Sequence, residues 1–385
     1  MNRDTAPHSV GAQNAVPLLS NQEHGGNIFE FAGRQRCRVE EVTDFSASIN
    51  PLGPSPLALQ ALQENLSSLV HYPDRACRPV REALARRYGL EIDQIWVGNG
   101  STELIHLIPR ALKLQRLLIP VPSFSEYEIA AQLAGCRIDF FQLQEENNFQ
   151  LRPAELIQAL TPETEALFLC NPNNPTGQLL PKSDLLRIVQ VACEKGIKVI
   201  LDEAFIDYAE EASLIGETKR YPNLIVLRSF TKFYAMPALR VGYLVSHAAI
   251  LPQVEKIQAP WSVNHLAQVA ATASLDDHDY IQKSLHVVEE ERRYLSEALS
   301  ELEGVALFPS QANYLLLKLS YDRFDLDEVN AALLQQKILV RNCRSFRGLG
   351  PRHLRIAVKS RPANTKLIQL LKGLLSKEAR GALNE

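Results

Sequence analysis

Between residues 94 and 246, short apolar strands alternate with helical patterns, and few architectures accommodate that order. IWVG, RLLIPV, RIDFFQL, ALFLCNP, KVILDEAF, LIVLRSF and GYLVS are rich in Val, Ile and Leu, and segments such as SEYEIAAQLAG and KSDLLRIVQVACEKG separate them. Strands that are apolar on both sides must be covered on both faces, and intervening helices supply the cover. The alternation therefore predicts an α/β fold with a mostly parallel seven-stranded sheet. In such sheets ligands collect beyond the carboxyl ends of the strands, so chemistry is expected at those ends.

The pattern changes after a long helical stretch from about residue 265 to 302. NYLLLKL, DLDEVNAALLQQK, ILVRN and LRIAVKS follow, then a last helix from about residue 363 to 377, which reads as a smaller α+β C-terminal domain. The expected organisation is a flexible tail over residues 1–22, an N-terminal arm over 23–50, a large domain over 51–264, and a connecting helix with the small domain over 265–385. A site is expected between the two domains.

Of the 385 residues, 46% are hydrophobic and 22% charged, as in an ordinary globular enzyme, and the formal net charge is −3. A nearly neutral, mixed-sign chain has no field suited to nucleic acid or an anionic membrane, so small molecules or a second copy of the chain are the expected partners. The six cysteines form no CxxC or Cys/His cluster, so neither a metal site nor a disulfide framework is expected. No apolar run reaches the length of a membrane span, and the first residues lack the pattern of a secretory signal, which predicts a cytoplasmic protein.

SFTKFYAMPALRVGYLV, residues 229–245, sets Lys232 among Ser229 and Thr231, with Arg240 eight positions on. A lysine held out of water, beside hydroxyl donors and a guanidinium, suits a phosphate-bearing aldehyde such as pyridoxal phosphate. VGNGSTELIH passes from strand through a Gly turn into a helix, which places Ser101 and Thr102 at a helix N-terminus, where a phosphate is favoured. ALFLCNPNNPTG ends a strand in a polar, Pro-rich turn that holds Asn174, and KVILDEAF ends another strand with Asp202. Asn174 would donate to a ring oxygen, and Asp202 would pair with a protonated ring nitrogen. Phe124 in PVPSFSEYE offers a flat surface for stacking.

As a set, NPNNPTG, LDEAF and SFTK with the later arginine resemble the fold type I pyridoxal phosphate enzymes, over a span from about residue 24 to the end. The resemblance implies an aminotransferase-like fold with Lys232 as the Schiff-base lysine. Asp202 would partner the ring nitrogen, Asn174 would donate to the ring hydroxyl, and Ser101, Thr102, Ser229 and Arg240 would hold the phosphate. Phe205 stands where many relatives have Tyr, and Ala238 where the pattern has Gly.

HGGNIFEFAG followed by DFSASINPLGPSP, together with LDEAFIDY and TKFYAMPALRVGYLV, resembles the threonine-phosphate decarboxylases of cobalamin biosynthesis, relatives of the histidinol-phosphate aminotransferases. That implies decarboxylation of O-phospho-L-threonine, with histidinol-phosphate transamination as the alternative. It further implies Arg355 on the substrate carboxylate and Arg341 on its phosphate, assisted by His24 and Asn27. Ser48 replaces an asparagine of the family pattern near the substrate. Tyr72, in HYPD, would reach the cofactor phosphate of a neighbouring subunit, which implies a homodimer.

Overall fold

A computed structural model describes residues 24–320 and 326–375. The expected N-terminal tail, residues 1–22, lies outside the described residues. The arm carries α1 (Ile28–Gln35) and β1 (Thr43–Asp44), and α2 (Pro56–Glu64) and α3 (Arg78–Tyr88) follow. The alternating region comprises β2 (Ile95–Gly98), α4 (Gly100–Ala111), β3 (Arg116–Val121), α5 (Glu126–Leu133), β4 (Arg137–Gln142), α6 (Pro153–Ala159), β5 (Ala166–Cys170), α7 (Lys182–Glu194), β6 (Lys198–Asp202), β7 (Leu224–Ser229) and β8 (Gly242–Ser246). Then come α8 (Leu251–Glu255), α9 (His265–Leu275), α10 (His278–Ser300), β9 (Val305–Leu307), β10 (Tyr314–Leu319), α11 (Leu326–Gln335), β11 (Ile338–Leu339), β12 (Arg341–Asn342), β13 (His353–Ala357) and α12 (Arg361–Leu375).

All seven apolar runs enter one sheet, ordered β2-β8-β7-β6-β5-β3-β4. Only β8 runs against its neighbours, so the sheet is mostly parallel, as expected. Alternate residues feed two cores. Leu167, Leu169, Val199 and Leu201 pack on one face with Leu84 of α3, Ile188 of α7 and Ala270 of α9. Phe168, Ile200, Ile225 and Leu227 pack on the other with Leu104 and Ile108 of α4 and Ala130 of α5. This two-sided burial is why the strands read as unbroken apolar runs.

A second, antiparallel sheet, ordered β12-β13-β10-β9, has its own core. Leu315, Leu317, Leu354 and Ile356 pack there on Leu295 and Leu299 of α10 and Leu367 and Leu371 of α12. The arm joins this part: β1 pairs in parallel with β11, and Phe45 is buried in the same core. Among the described residues no helix is long and apolar enough to cross a membrane.

Two expectations need correction. The helical stretch from 265 to 302 is two helices, because the Asp277 carboxylate accepts from the backbone of Tyr280 at 3.1 Å and caps a new start. Its other oxygen accepts from Ser55 Oγ at 2.5 Å, which ties the break to the start of α2. ILVRN is likewise not one strand. Ile338 and Leu339 pair with the arm, whereas Arg341 and Asn342 pair with β13.

Candidate active site

The carboxyl ends of β5, β6 and β7 open into a cavity of about 370 Å³. His24, Ser101, Thr102, Phe124, Asn174, Asp202, Ser229, Thr231, Lys232, Arg240, Arg341 and Arg355 all line it. Residues more than 300 positions apart in the chain, such as His24 and Arg355, thus line one cavity.

One end of the cavity is an anion cradle. Helix α4 begins at Gly100, directly after β2, so its first amides and the side chains of Ser101 and Thr102 face the cavity region. Gly100 has φ +76°, and a Cβ there would come within 2.6 Å of Arg240 Nη2. A Cβ on Gly242 would stand 2.4 Å from the Ser101 nitrogen. Both glycines permit the guanidinium, strand β8 and the helix start to crowd together. Arg240 is anchored by its Nη1, which donates to the Pro237 carbonyl at 3.0 Å. Ser229 Oγ and Thr231 Oγ1 lie 2.8 Å apart on the same side. Glu103, the nearby acid, is occupied by the Asn99 amide at 2.6 Å and Gln258 at 2.8 Å.

At the centre, Asp202 is buried. It accepts from the Tyr127 hydroxyl at 2.7 Å and the Ala204 amide at 2.9 Å. Burial pushes its carboxyl above the ordinary range, against those two donors and the charge of Lys232. Lys232 lies opposite in electrostatic terms. Loss of hydration, then the positive charges of Arg355 and Arg240, push its ammonium from 10.5 down to about 8. An amine that sheds its proton near neutrality is ready for covalent chemistry. Phe124 packs edge-on against Tyr127, with ring centres 5.7 Å apart, and Tyr127 stacks on Phe168 at 4.6 Å.

The far wall carries two arginines. Arg355, nearly inaccessible, donates from Nη1 to Asn174 Oδ1 at 2.5 Å and from Nη2 to the Ser46 carbonyl at 2.9 Å, while its Nε has no hydrogen-bond partner. With Asn174 Oδ1 so engaged, the group this side chain offers a ligand is its NH2. Arg341 donates to Ser345 Oγ at 2.8 Å. His24, brought in by the arm, pairs with Glu126 at 3.0 Å.

Three expected site residues are not in the cavity wall. Asn27 is exposed and bonds to Glu30 in the first turn of α1, because the arm turns outward after Gly25 and Gly26. Ser48 is buried behind the wall, where its carbonyl accepts from Asn313 at 3.0 Å and its hydroxyl has no partner. Tyr72 is 80% exposed and stacks on Trp261, with centroids 4.7 Å apart, outside this chain's cavity.

The sequence reading missed Tyr127, although SFSEYE sets it three residues after Phe124 and hence on the same side of a helix start. It also missed Arg228 and Glu203, hidden inside runs read as apolar. Arg228 Nε donates to Glu203 Oε2 at 2.9 Å with both side chains buried. Each neighbours a cavity residue, Ser229 or Asp202, so the pair locks the ends of β6 and β7 in register.

Comparison with known proteins agrees with this geometry. Residues 40–371 match the family described as aminotransferase class I and II. The threonine-phosphate decarboxylase of Salmonella typhimurium is 41% identical over 361 residues, covering 93% of this chain and 98% of its own length. The adenosylcobalamin biosynthesis bifunctional protein CobDQ of Leptospira interrogans is 36% identical over 90% of this chain and 40% of its own. The crystal structure of the histidinol-phosphate aminotransferase from Clostridium acetobutylicum superposes with a TM-score of 0.81 at 33% identity, covering 86% of this chain and 99% of that one. The chain described here belongs to the aminotransferase class I and II family, as a relative of its threonine-phosphate decarboxylases and histidinol-phosphate aminotransferases.

Proposed function

We propose that this protein is a pyridoxal phosphate-dependent decarboxylase of O-phospho-L-threonine, releasing carbon dioxide and (R)-1-amino-2-propanol O-phosphate for cobalamin biosynthesis. The observation that carries the reading is one cavity holding a lysine of lowered pKa, a buried acid and two inward arginines. A substrate with two anionic groups needs two cations, and guanidinium groups grip carboxylate and phosphate through paired hydrogen bonds.

The cradle fits the cofactor. Helix amides, four hydroxyl groups and Arg240 converge where added methyl groups on Gly100 or Gly242 would intrude. We assign the phosphate to Ser101, Thr102, Ser229, Thr231 and Arg240, the ring face to Phe124, the ring oxygen to Asn174 and the ring nitrogen to Asp202. When bound, pyridoxal phosphate supplies an electron sink for the pair released as the bond from Cα to the carboxylate breaks.

The chain's own residues decide which bond is exposed and where protons go. Arg355 holds the substrate carboxylate, and Arg341 with His24 holds the phosphate, so the substrate is turned about its Cα into one orientation. Asp202, steadied by Tyr127, keeps a proton on the ring nitrogen. Lys232, whose free ammonium has a lowered pKa, would hold the cofactor's aldehyde carbon and, once released by the substrate amine, would supply to Cα the proton that replaces carbon dioxide.

We assign residues 51–264 to a large cofactor-binding domain and 265–385 to a connecting helix and small domain, with 23–50 as an arm. The separate core of the C-terminal sheet and the pairing of β1 with β11 support that division. We also infer a homodimer in which Tyr72 serves the neighbouring site. The support is an exposed apolar cluster at Leu66, Leu69, Val70, Tyr72 and Trp261. Six unpaired cysteines fit a cytoplasmic location.

The likeness to a histidinol-phosphate aminotransferase structure favours a second reading, transamination of histidinol phosphate. The test is incubation of cofactor-loaded protein with O-phospho-L-threonine, following carbon dioxide and aminopropanol phosphate, beside histidinol phosphate with 2-oxoglutarate. Carbon dioxide release that vanishes in Lys232→Ala is expected; glutamate formation without carbon dioxide would establish the aminotransferase instead.

A further inference from the structure

Helix α5 begins with three consecutive residues that each hold a different part of the molecule. Glu126 faces His24 of the arm at 3.0 Å and His106 of α4 at 2.7 Å. Tyr127 donates to Asp202. Glu128 receives Arg347 in a two-pronged pair, Nε to Oε2 at 3.0 Å and Nη2 to Oε1 at 2.6 Å. Arg347 lies in the loop between β12 and β13, so this third contact ties the C-terminal sheet to the large one. Its guanidinium also sits 4.2 Å from the ring centre of Phe140 on β4.

The same loop positions Arg341. Arg341 Nη2 donates to Ser345 Oγ at 2.8 Å, and its guanidinium carbon lies 5.2 Å from the ring centre of Phe346. Both partners directly precede Arg347. Behind the loop there is a second cavity of about 370 Å³, bounded in part by Phe124, Glu128 and Phe140. It shares Phe346 with the active-site cavity. Cys343 and Phe346 anchor the loop in the main core, but its charged end lies beside open space, where direction is set by polar contacts and not by packing alone. One such contact, the Arg347 fork, stands at its far end, and next to it Gly348, with φ +85°, lets the chain pass so close to the Gln142 side chain that a Cβ there would stand 2.7 Å from it.

We propose that the Glu128–Arg347 pair is a clasp that seats loop 343–349 and so aims Arg341 at the substrate's anionic group. The two are positioning residues for substrate affinity. This rests on the assignment of Arg341 to the substrate phosphate. Glu128 is suited to the task because a buried carboxylate requires a partner, and a forked pair fixes direction as well as distance.

The test uses full-length, cofactor-loaded enzyme and Arg347→Met, which keeps bulk and removes the charge at a half-exposed position. The KM for O-phospho-L-threonine is expected to rise about five- to tenfold with kcat changed by less than about twofold. Amide hydrogen exchange over residues 343–349 is expected to quicken about tenfold, while that of β7 stays unchanged. Arg347→Lys, which keeps the charge and loses the fork, should fall between. In an Arg341→Met background, Arg347→Met should raise KM no further, because the clasp acts through Arg341. Unchanged exchange in the loop, or an Arg347 effect equally large without Arg341, overturns the proposal. Absence of turnover in the unaltered enzyme refutes the functional reading and not the seating of the loop, which then stands or falls on the exchange rates.

Discussion

Arg341 and Arg355 stand directly opposite each other across the antiparallel pair of β12 and β13, which points two buried guanidinium groups from one face of the sheet into the cavity. Like charges so placed repel, and an anion between them relieves both the repulsion and the lost hydration. Arg355→Met is therefore expected to lower kcat/KM about a thousandfold, or about 4 kcal/mol, the scale of losing a charge-assisted pair in a desolvated site. Cofactor affinity should change by less than about threefold. Steady-state kinetics beside a cofactor titration checks both.

Tyr127→Phe removes one hydroxyl and leaves the stacking on Phe168 intact. Asp202 loses a donor that favours its charged form, so its carboxyl, already raised by burial, should titrate higher still. A weaker negative charge holds the ring nitrogen's proton less firmly. The expected outcome is a drop in kcat of about tenfold, from a hydrogen bond worth about 1–2 kcal/mol, with KM little changed. Retained thermal stability would distinguish this from misfolding.

Gly100→Ala tests the cradle. The left-handed backbone at φ +76° disfavours any side chain, and the added methyl would stand 2.6 Å from Arg240 Nη2. Arg240 is exposed and has room to swing outward. The protein should therefore fold but bind pyridoxal phosphate about ten- to a hundredfold more weakly, the worth of one charge-assisted contact. Equilibrium absorbance titration with the cofactor measures it.

Tyr72→Ala addresses the partner subunit. In this chain Tyr72 touches Trp261 and not the cavity. If its work lies across an interface, the variant should retain the sedimentation mass of a dimer while cofactor affinity falls about three- to tenfold. A monomeric wild-type protein in sedimentation would remove the homodimer from the reading.

The fold was legible because its strands are buried on both faces. Runs such as ALFLC and KVILD have no polar alternation to confuse with a surface strand, and polar residues mark where they stop: Asp202 closes β6, and the Asn-rich turn that holds Asn174 follows β5. Asn174, Asp202 and Lys232 could be read for that reason. What stayed hidden depends on contacts between distant segments. Nothing local in LIVLRSF says that Arg228 is buried, since its stabilising partner Glu203 lies 25 residues away. Asn27 and Ser48 fell in motifs, and a motif does not say which way the arm turns. The division of 265–302 into two helices was written in the second aspartate of SLDDHDY, a capping residue that the apolar periodicity on both sides concealed.

Lys232 makes stability depend on pH in a direction that can be worked out. Its ammonium is lowered from 10.5 to about 8 by lost hydration and then by Arg355 and Arg240. Below pH 8 the amine is protonated in both folded and unfolded chains, and the folded chain bears the whole cost, about 3 kcal/mol. Between pH 8 and 10.5 the unfolded chain binds more protons than the folded one, so stability rises with pH and the cost disappears. Cofactor-free Lys232→Met should then be more stable than the cofactor-free parent at about pH 7 by about 3 kcal/mol, with the gap closing towards about pH 10. Urea unfolding of both proteins across that range measures the gap. A difference that stays constant with pH would mean that the lysine is hydrated in the folded chain, and the argument for its readiness as a nucleophile would go with it.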